Sequence, residues 1–575
     1  MEDIEDGKEN DKIDERRGKS WFSEDNNTTN EQSQTNPLRL IYSVDDDPSL
    51  GMSFLLGLQQ YLTTVGGIFS IPFLLCPALC ILNEDPSRGY IMSTIFIISG
   101  IATLLQTTFG VRLPIIQGSS ITYVACTLAI LNLPRWECPN KGDLYAMGHE
   151  NRSEEWMMRM REIQGAVIVA SLAEVVVGYL GLVGIILRYI TPLTVTSTIT
   201  LVGLSLVSHG IELSSGNWYI SLTTVALLAI FSQYLRNVNT KLPIYTLVKG
   251  WHLINIKGFQ LFPVLLTTII VYFICYLLTR FDLLDDIDPA RIDGNINIID
   301  NTDWFRAPYP FQWGWPTFTI SSIFAMFTAV LVGIIESVGD YYACARICGQ
   351  PTPPIPAINR GIGTEGFSCI LAGCMGIGTG VTSFSENIGA IGVTRVGSRK
   401  VIQCGAIIMI ILAFFGKVAA TFSTIPTPVV GGLLCVLFSI ITAGGLTNLS
   451  YVNMSSTRNM FVLGSSLFFG IGLPQYLKHN EEIFLITGFL PLDQLVRILL
   501  STPMFIGGFI GFILDNTIPG TPEEKGILEW KKEKNLSGNE SADSTQSKIY
   551  KLPKFKFYTF KKFKEEVTSL LRRSK

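Results

Sequence analysis

Eleven stretches of this chain, at roughly 52–80, 90–109, 163–184, 186–207, 217–235, 259–279, 318–340, 401–422, 428–446, 458–474 and 493–514, are apolar enough to lie in a lipid bilayer. A spanning helix needs about 20 mostly apolar residues. Hydrocarbon leaves every backbone N–H and C=O to find a partner inside the protein, and for runs of this length the helix is the structure that provides one. Composition agrees, since 48% of the 575 residues are hydrophobic and 16% are charged, with a mean hydropathy of +0.36. An ordinary soluble enzyme is excluded, and a net charge of −3 gives no sign of nucleic-acid binding. The polar, acidic residues 1–47 contain no cleavable signal peptide and predict a disordered cytosolic amino end. The 11 cysteines show no CxxC pair, and most lie in apolar runs, which suits core packing better than metal ligation.

Three further segments, around 115–132, 361–378 and 379–395, are shorter or interrupted. They bring the expected total to about fourteen, an all-α membrane protein with both termini on one side. With the amino end inside, Arg236, Lys241, Lys249 and Lys257, the group Arg395, Arg399 and Lys400, and the lysine-rich tail after 524 all lie inside. The aspartate-rich 280–316 loop and the 133–162 loop then lie outside, where Asn151 of Asn-Arg-Ser is a glycosylation acceptor. Sequons at Asn27, Asn448 and Asn535 fall inside and stay silent. The carboxyl tail mixes lysine with aromatics, which fits either a membrane-surface contact or a solvated trafficking tail.

The interrupted segments VRLPIIQGSSITYVACTLAI (111–130) and GIGTGVTSFSENIGAIGV (376–393) each stand third in a half of seven. Paired interruptions at equivalent places point to an inverted-repeat transporter with its site at the midplane. Broken helices there offer free N–H and C=O groups to a ligand.

An ionisable group at the centre of a membrane helix costs about 2.5–3.5 kcal/mol on insertion, so each one is a functional candidate. Glu336 and Asp340 are four apart and share a helix face. Two carboxylates so placed repel unless a cation or donor lies between them; the plain alternative is hydration at a helix end. Glu386 and Asn387 sit among glycines in the broken tenth segment. Glu365 either orients that segment or faces cytosolic water. Gln59 and Gln60 either bond a ligand or bond between helices. Glu174 and Lys417 are candidates for structural pairing with partners the sequence does not name. None of His149, His209, His252 and His479 lies in mid-span, so no histidine proton relay is apparent.

Glu386-Asn387-Ile388-Gly389 followed by Thr394-Arg395 resembles the signature of the nucleobase–ascorbate transporter family (nucleobase:cation symporter-2): Gln, Glu or Pro, then Asn-x-Gly, four residues, Thr, and Arg or Lys. ESVGDYYACAR (336–346), QGSS (117–120), ITPLTVTSTITLVGLS (190–205) and LDNTIPGTPEEKGI (514–527) extend the resemblance over roughly 50–530, closest in look to animal sodium-dependent nucleobase transporters. It implies fourteen segments in two inverted sevens. Segments 1–4 (50–184) and 8–11 (317–423) form a core domain, and 185–316 and 424–515 form a gate. Tails at 1–49 and 516–575 are cytosolic. The family's members are usually dimers whose core moves like an elevator against the gate; the external sequon, separately, suggests the plasma membrane. The resemblance makes Glu336, Glu386, Asn387, Ser119, Ser120, Gln60, Ser385 and Gly389 substrate-binding. It makes Asp340, with Ser119 and Ser120, the sodium-coupling site, and Thr394, Glu365 and Gln117 loop-shaping. Two departures are Gln59-Gln60, where many relatives have Gln-His, and Ile121, where relatives often carry a phenylalanine that stacks on the ligand.

Resemblance also bears on the substrate, because ascorbate carriers of the family have proline where this chain has Glu386. Nucleobases are uncharged and carry N–H donors that carboxylates accept. Ascorbate is an anion, and a second carboxylate about 4 Å away would repel it by roughly 1–4 kcal/mol. The expectation is therefore sodium-coupled uptake of uracil, xanthine, hypoxanthine, guanine or urate. Ascorbate is the alternative substrate and a proton the alternative ion. No nucleophile–base set, resident cofactor or structural metal site is apparent, so the chain is not read as an enzyme. Anion exchangers of related fold need a positive site, and the acids at 336, 340 and 386 speak against one.

Overall fold

A computed structural model describes residues 40–82, 85–246, 250–293, 299–300, 302–480, 490–528 and 549–552. The sequons at Asn27 and Asn535, Lys249 and most of both tails lie outside the described residues. The first half runs through α1 (Leu50–Ala78), α2 (Ser87–Thr108), β1 (Gln117–Ser119), α3 (Ile121–Leu131), α4 (His149–Tyr179), α5 (Pro192–Ser205), α6 (Val207–Ser215), α7 (Trp218–Ala229), β2 (Thr240–Thr246), β3 (Gly250–Ile256) and α8 (Pro263–Arg280). The second half contains α9 (Ile320–Ile347), α10 (Ile355–Met375), β4 (Val381–Ser383), α11 (Ser385–Thr394), α12 (Arg399–Ala413), α13 (Gly416–Ser423), α14 (Thr427–Thr447), α15 (Thr457–His479), α16 (Leu490–Ser501) and α17 (Pro503–Thr517).

Among the described residues eight helices are long and apolar enough to cross a membrane, or nine if Leu492–Ser501 and Pro503–Thr517, bent by 83° at Thr502, form one span. Expected segments that fail this test fail for visible reasons. The third and tenth are half-helices behind short strands, and α12 and α13 break the eleventh at Phe414-Phe415. The sixth ends in a π-turn, and the ninth, α10, carries Arg360 and Glu365.

Helices α1 to α4 pack on α9 to α12: α10 lies along α4, and α12 lies on both α1 and α2. Separately, α5, α6 and α7 pack on α14, while α17 lies against α5 and α15. The chain is not purely helical. β1 pairs with β4, and β2 pairs with β3 in a hairpin that replaces the loop expected at 237–258. Its sequence, TKLPIYT and GWHLINI, is rich in β-branched and aromatic residues.

Two cysteines are not core packers: Cys80 and Cys138 form a disulfide that ties the end of α1 to the stretch before α4. Asn151, expected in a loop, is exposed in the first turn of α4. Lys417 donates to Ile299 O at 2.7 Å and lies 5.3 Å from the Trp304 ring centroid, so its partners are a carbonyl and an indole face.

Candidate functional site

The two broken segments meet as strands. Gln117, Gly118 and Ser119 pair antiparallel with Ser383, Thr382 and Val381. Ser120 N donates to Gly380 O at 3.1 Å and Phe384 N to Ile116 O at 3.0 Å, so each interruption satisfies the other's backbone. Close approach depends on glycine. A β-carbon on Gly118 would lie 2.4 Å from Phe384 Cζ, and Gly376 ends α10 with φ +71°. Beyond the crossing, α3 and α11 begin at Ile121 and Ser385, so their first turns, which lack intrahelical partners for their N–H groups, start beside it.

At this crossing lies a cavity of about 590 Å³. Ser119, Ser120, Glu336, Asp340, Ser385 and Glu386 all line it, together with Phe384 and Ile121. Val195 and Ile199 of α5 and Leu437, Ile440 and Ile441 of α14 add apolar lining, with Thr447, Asn448 and Tyr451 after them in the chain. Arg346 and Thr352 also line it, so the cavity continues about 9 Å past Asp340 along α9, six residues at about 1.5 Å each.

Glu336 Oε2 accepts from Thr122 Oγ1 at 3.1 Å. Asp340 Oδ1 accepts from Ser385 Oγ at 2.8 Å, while Asp340 Oδ2 is buried without a donor. The Ser119 and Ser120 hydroxyls are likewise buried and unpartnered. Glu386 Oε1 is 3.7 Å from where a β-carbon on Gly67 would sit, which brings α1 to the cavity's edge. None of these three acids is in an ion pair among the described residues. Unsatisfied carboxylate and hydroxyl oxygens in one hollow are a donor set for a hard cation, and the remaining carboxylate oxygens are acceptors for N–H groups.

Other expected site residues lie behind the cavity rather than on it. Asn387 Nδ2 donates to Gln60 Oε1 at 3.1 Å, and Asn387 Oδ1 accepts from Ile116 N at 2.8 Å. Both residues are fully buried, so each holds the crossing and neither lines the hollow; Gly389 is also absent from its lining. Thr394 Oγ1 donates to Ala390 O at 2.8 Å and accepts from Val396 N at 3.3 Å at the end of α11. Glu365 does not face water: it is buried and accepts from Ser337 Oγ at 2.5 Å and Tyr341 OH at 3.1 Å. With the Gln117 amide turned to satisfy both its atoms, its oxygen accepts from Ser383 Oγ at 3.0 Å and its nitrogen donates to Glu365 Oε2 at 3.3 Å. Glu174 finds its partner in Tyr123, whose hydroxyl donates to it at 3.3 Å. Thr122 and Phe384 were not singled out by the sequence, although both adjoin residues that were.

A model of the xanthine/uracil permease family, described as a permease family, matches residues 51–479. Mouse solute carrier family 23 member 1 is 47% identical over 511 residues, covering 88% of this chain and 84% of its own. Human solute carrier family 23 member 2 is 47% identical over 522 residues, covering 89% and 79%. Nucleobase-ascorbate transporter 1 of Arabidopsis thaliana is 34% identical over 528 residues, covering 89% and 95%.

Proposed function

Because the chain belongs to the xanthine/uracil permease family of membrane transporters, we propose that it carries uncharged nucleobases into the cell together with sodium. One observation carries the reading: Glu336, Asp340 and Glu386 line a single cavity, and among the described residues none of them is in an ion pair. In that reading Glu336 and Glu386 accept ring N–H groups, and Phe384 and Ile121 contact the face of the ring. The cavity's volume, about 590 Å³, is within the range of small-molecule sites. Sodium takes the place left by Asp340 Oδ2 and the Ser119 and Ser120 hydroxyls, which supply the oxygen ligands a hard cation prefers. A bound cation offsets the repulsion between Asp340 and Glu336, so ion and base each favour the other's binding.

The packing of α1 to α4 with α9 to α12, and of α5 to α7 with α14, α15 and α17, supports a core and a gate drawn from two inverted sets of seven segments. The cavity is lined from both sets, by Glu336, Asp340 and Glu386 of one and by Val195, Leu437 and Asn448 of the other, which supports an elevator-type carrier. We place the protein in the plasma membrane as a homodimer with both termini in the cytosol, and Asn151 and the Cys80–Cys138 bond outside.

The test is uptake of radiolabelled uracil, xanthine and ascorbate in sodium or choline medium, for the native chain and Glu386→Pro. Saturable, sodium-dependent base uptake that Glu386→Pro abolishes is expected. Strong ascorbate uptake by the native chain would overturn the substrate, and equal uptake in choline would overturn the ion.

A further inference from the structure

Near the end of the cavity marked by Arg346 and Thr352, a short piece of the carboxyl tail is seated in the protein. Tyr550 is 4% exposed and belongs to the main hydrophobic core, although it lies beyond the last helix, with residues 529–548 between. Its hydroxyl donates to Pro351 O at 2.6 Å, and its own carbonyl accepts from Arg360 Nη2 at 2.8 Å. Arg399 Nη1 donates to Ile549 O at 3.3 Å. The socket thus consists of the turn after α9, the start of α10 and the start of α12. It adjoins the turn that ends α11, the half-helix carrying Glu386. On its other side that turn is bound by the amino-terminal segment, where Gly397 N donates to Tyr42 O at 2.8 Å and Asp45 pairs with Arg399.

Beneath lie two thiols. Cys344 and Cys348 are buried, and their sulfurs are 3.9 Å apart. Cys348 Sγ is 3.3 Å from where a β-carbon on Gly397 would sit, and Cys348 lies three residues before Pro351, the acceptor of the Tyr550 hydroxyl, in the same buried cluster as Tyr550. We propose that the socket is a peptide-binding site for the chain's own segment Ile549–Leu552, anchored by Tyr550, and that its occupancy seals the Cys344–Cys348 thiol pair from solvent. The chemistry fits a short extended segment. An aromatic ring fills an apolar hole, its hydroxyl reaches a carbonyl, and two arginines take successive backbone carbonyls. In this proposal the segment releases and rebinds while the fold stays intact.

The test uses the full chain in membranes with a protease site inserted within 529–548. A membrane-permeant maleimide is added before and after cutting and washing, and its thioether products at Cys344 and Cys348 are followed by peptide mass spectrometry. Cys369, fully buried elsewhere, reports in the same spectra that the fold is retained. Cutting is expected to raise labelling of the pair at least about tenfold, because a local opening is made permanent. A peptide spanning 546–553 restores protection, and the same peptide with Tyr550→Ala does not. An unchanged rate after cutting, or equal protection by both peptides, would overturn the proposal.

Discussion

Replacing Glu336 with glutamine keeps the side chain's length and exchanges one carboxylate oxygen for an NH2 group. In the native chain one oxygen accepts from Thr122 at 3.1 Å, which leaves the other for the ligand. The glutamine oxygen takes the Thr122 position, so the amide NH2 faces the ligand's N–H groups as donor against donor. Hydrogen bonds to a charged acceptor contribute about 1.5–3 kcal/mol, so Glu336→Gln should raise KM for uracil or xanthine about 10- to 150-fold. Initial-rate uptake, normalised to protein at the cell surface, measures it. A base methylated at the ring N–H positions closes the cycle: it never makes the bond, so its already weak binding should change little between native and variant chains. An unchanged KM for the unmodified base, at normal surface amount, refutes the assignment of Glu336 as the N–H acceptor.

Asn387→Ala removes the partner of Ile116 N and Gln60, leaving buried groups unsatisfied at about 1–3 kcal/mol each. It should lower the amount of folded protein and its thermal midpoint, with KM of the surviving fraction within about twofold, a factor smaller than one lost hydrogen bond gives. Gly118→Ala drives a methyl into the Phe384 ring, 2.4 Å from Cζ, and should cost about 1–3 kcal/mol of stability and most of the uptake. Cys80→Ser opens a loop closed across a separation of 58 residues, which should lower stability by about 2–4 kcal/mol. Thermal unfolding in detergent, with reductant lowering only the native chain, checks it.

The polar interruptions were legible because glycine, hydroxyls and carboxylates have no place in an unbroken membrane helix, and the crossing of β1 and β4 lies where 111–130 and 376–393 placed it. Glu336, Asp340 and Glu386 stood out for the same reason, since charge at depth is costly. What pattern could not give was partnership. Gln60 and Asn387 are polar in apolar surroundings just as Glu386 is, yet Asn387 donates to Gln60 Oε1 behind the cavity. Glu174 with Tyr123, and Glu365 with Ser337 and Tyr341, are contacts between segments far apart in sequence, which no local spacing encodes. The Cys80–Cys138 bond was hidden likewise, as neither cysteine sits in a recognisable spacing. Helix length misled where a break such as Thr502 or Phe414-Phe415 falls within an apolar run.

Equilibrium binding of radiolabelled xanthine or uracil to the purified protein, titrated with sodium and repeated for Asp340→Asn, tests the cation-and-base site without reliance on transport. Base affinity should rise with sodium, ascorbate should fail to compete, and Asp340→Asn should abolish the sodium dependence. Affinity indifferent to sodium, or displacement of the base by ascorbate at comparable concentration, would contradict the account.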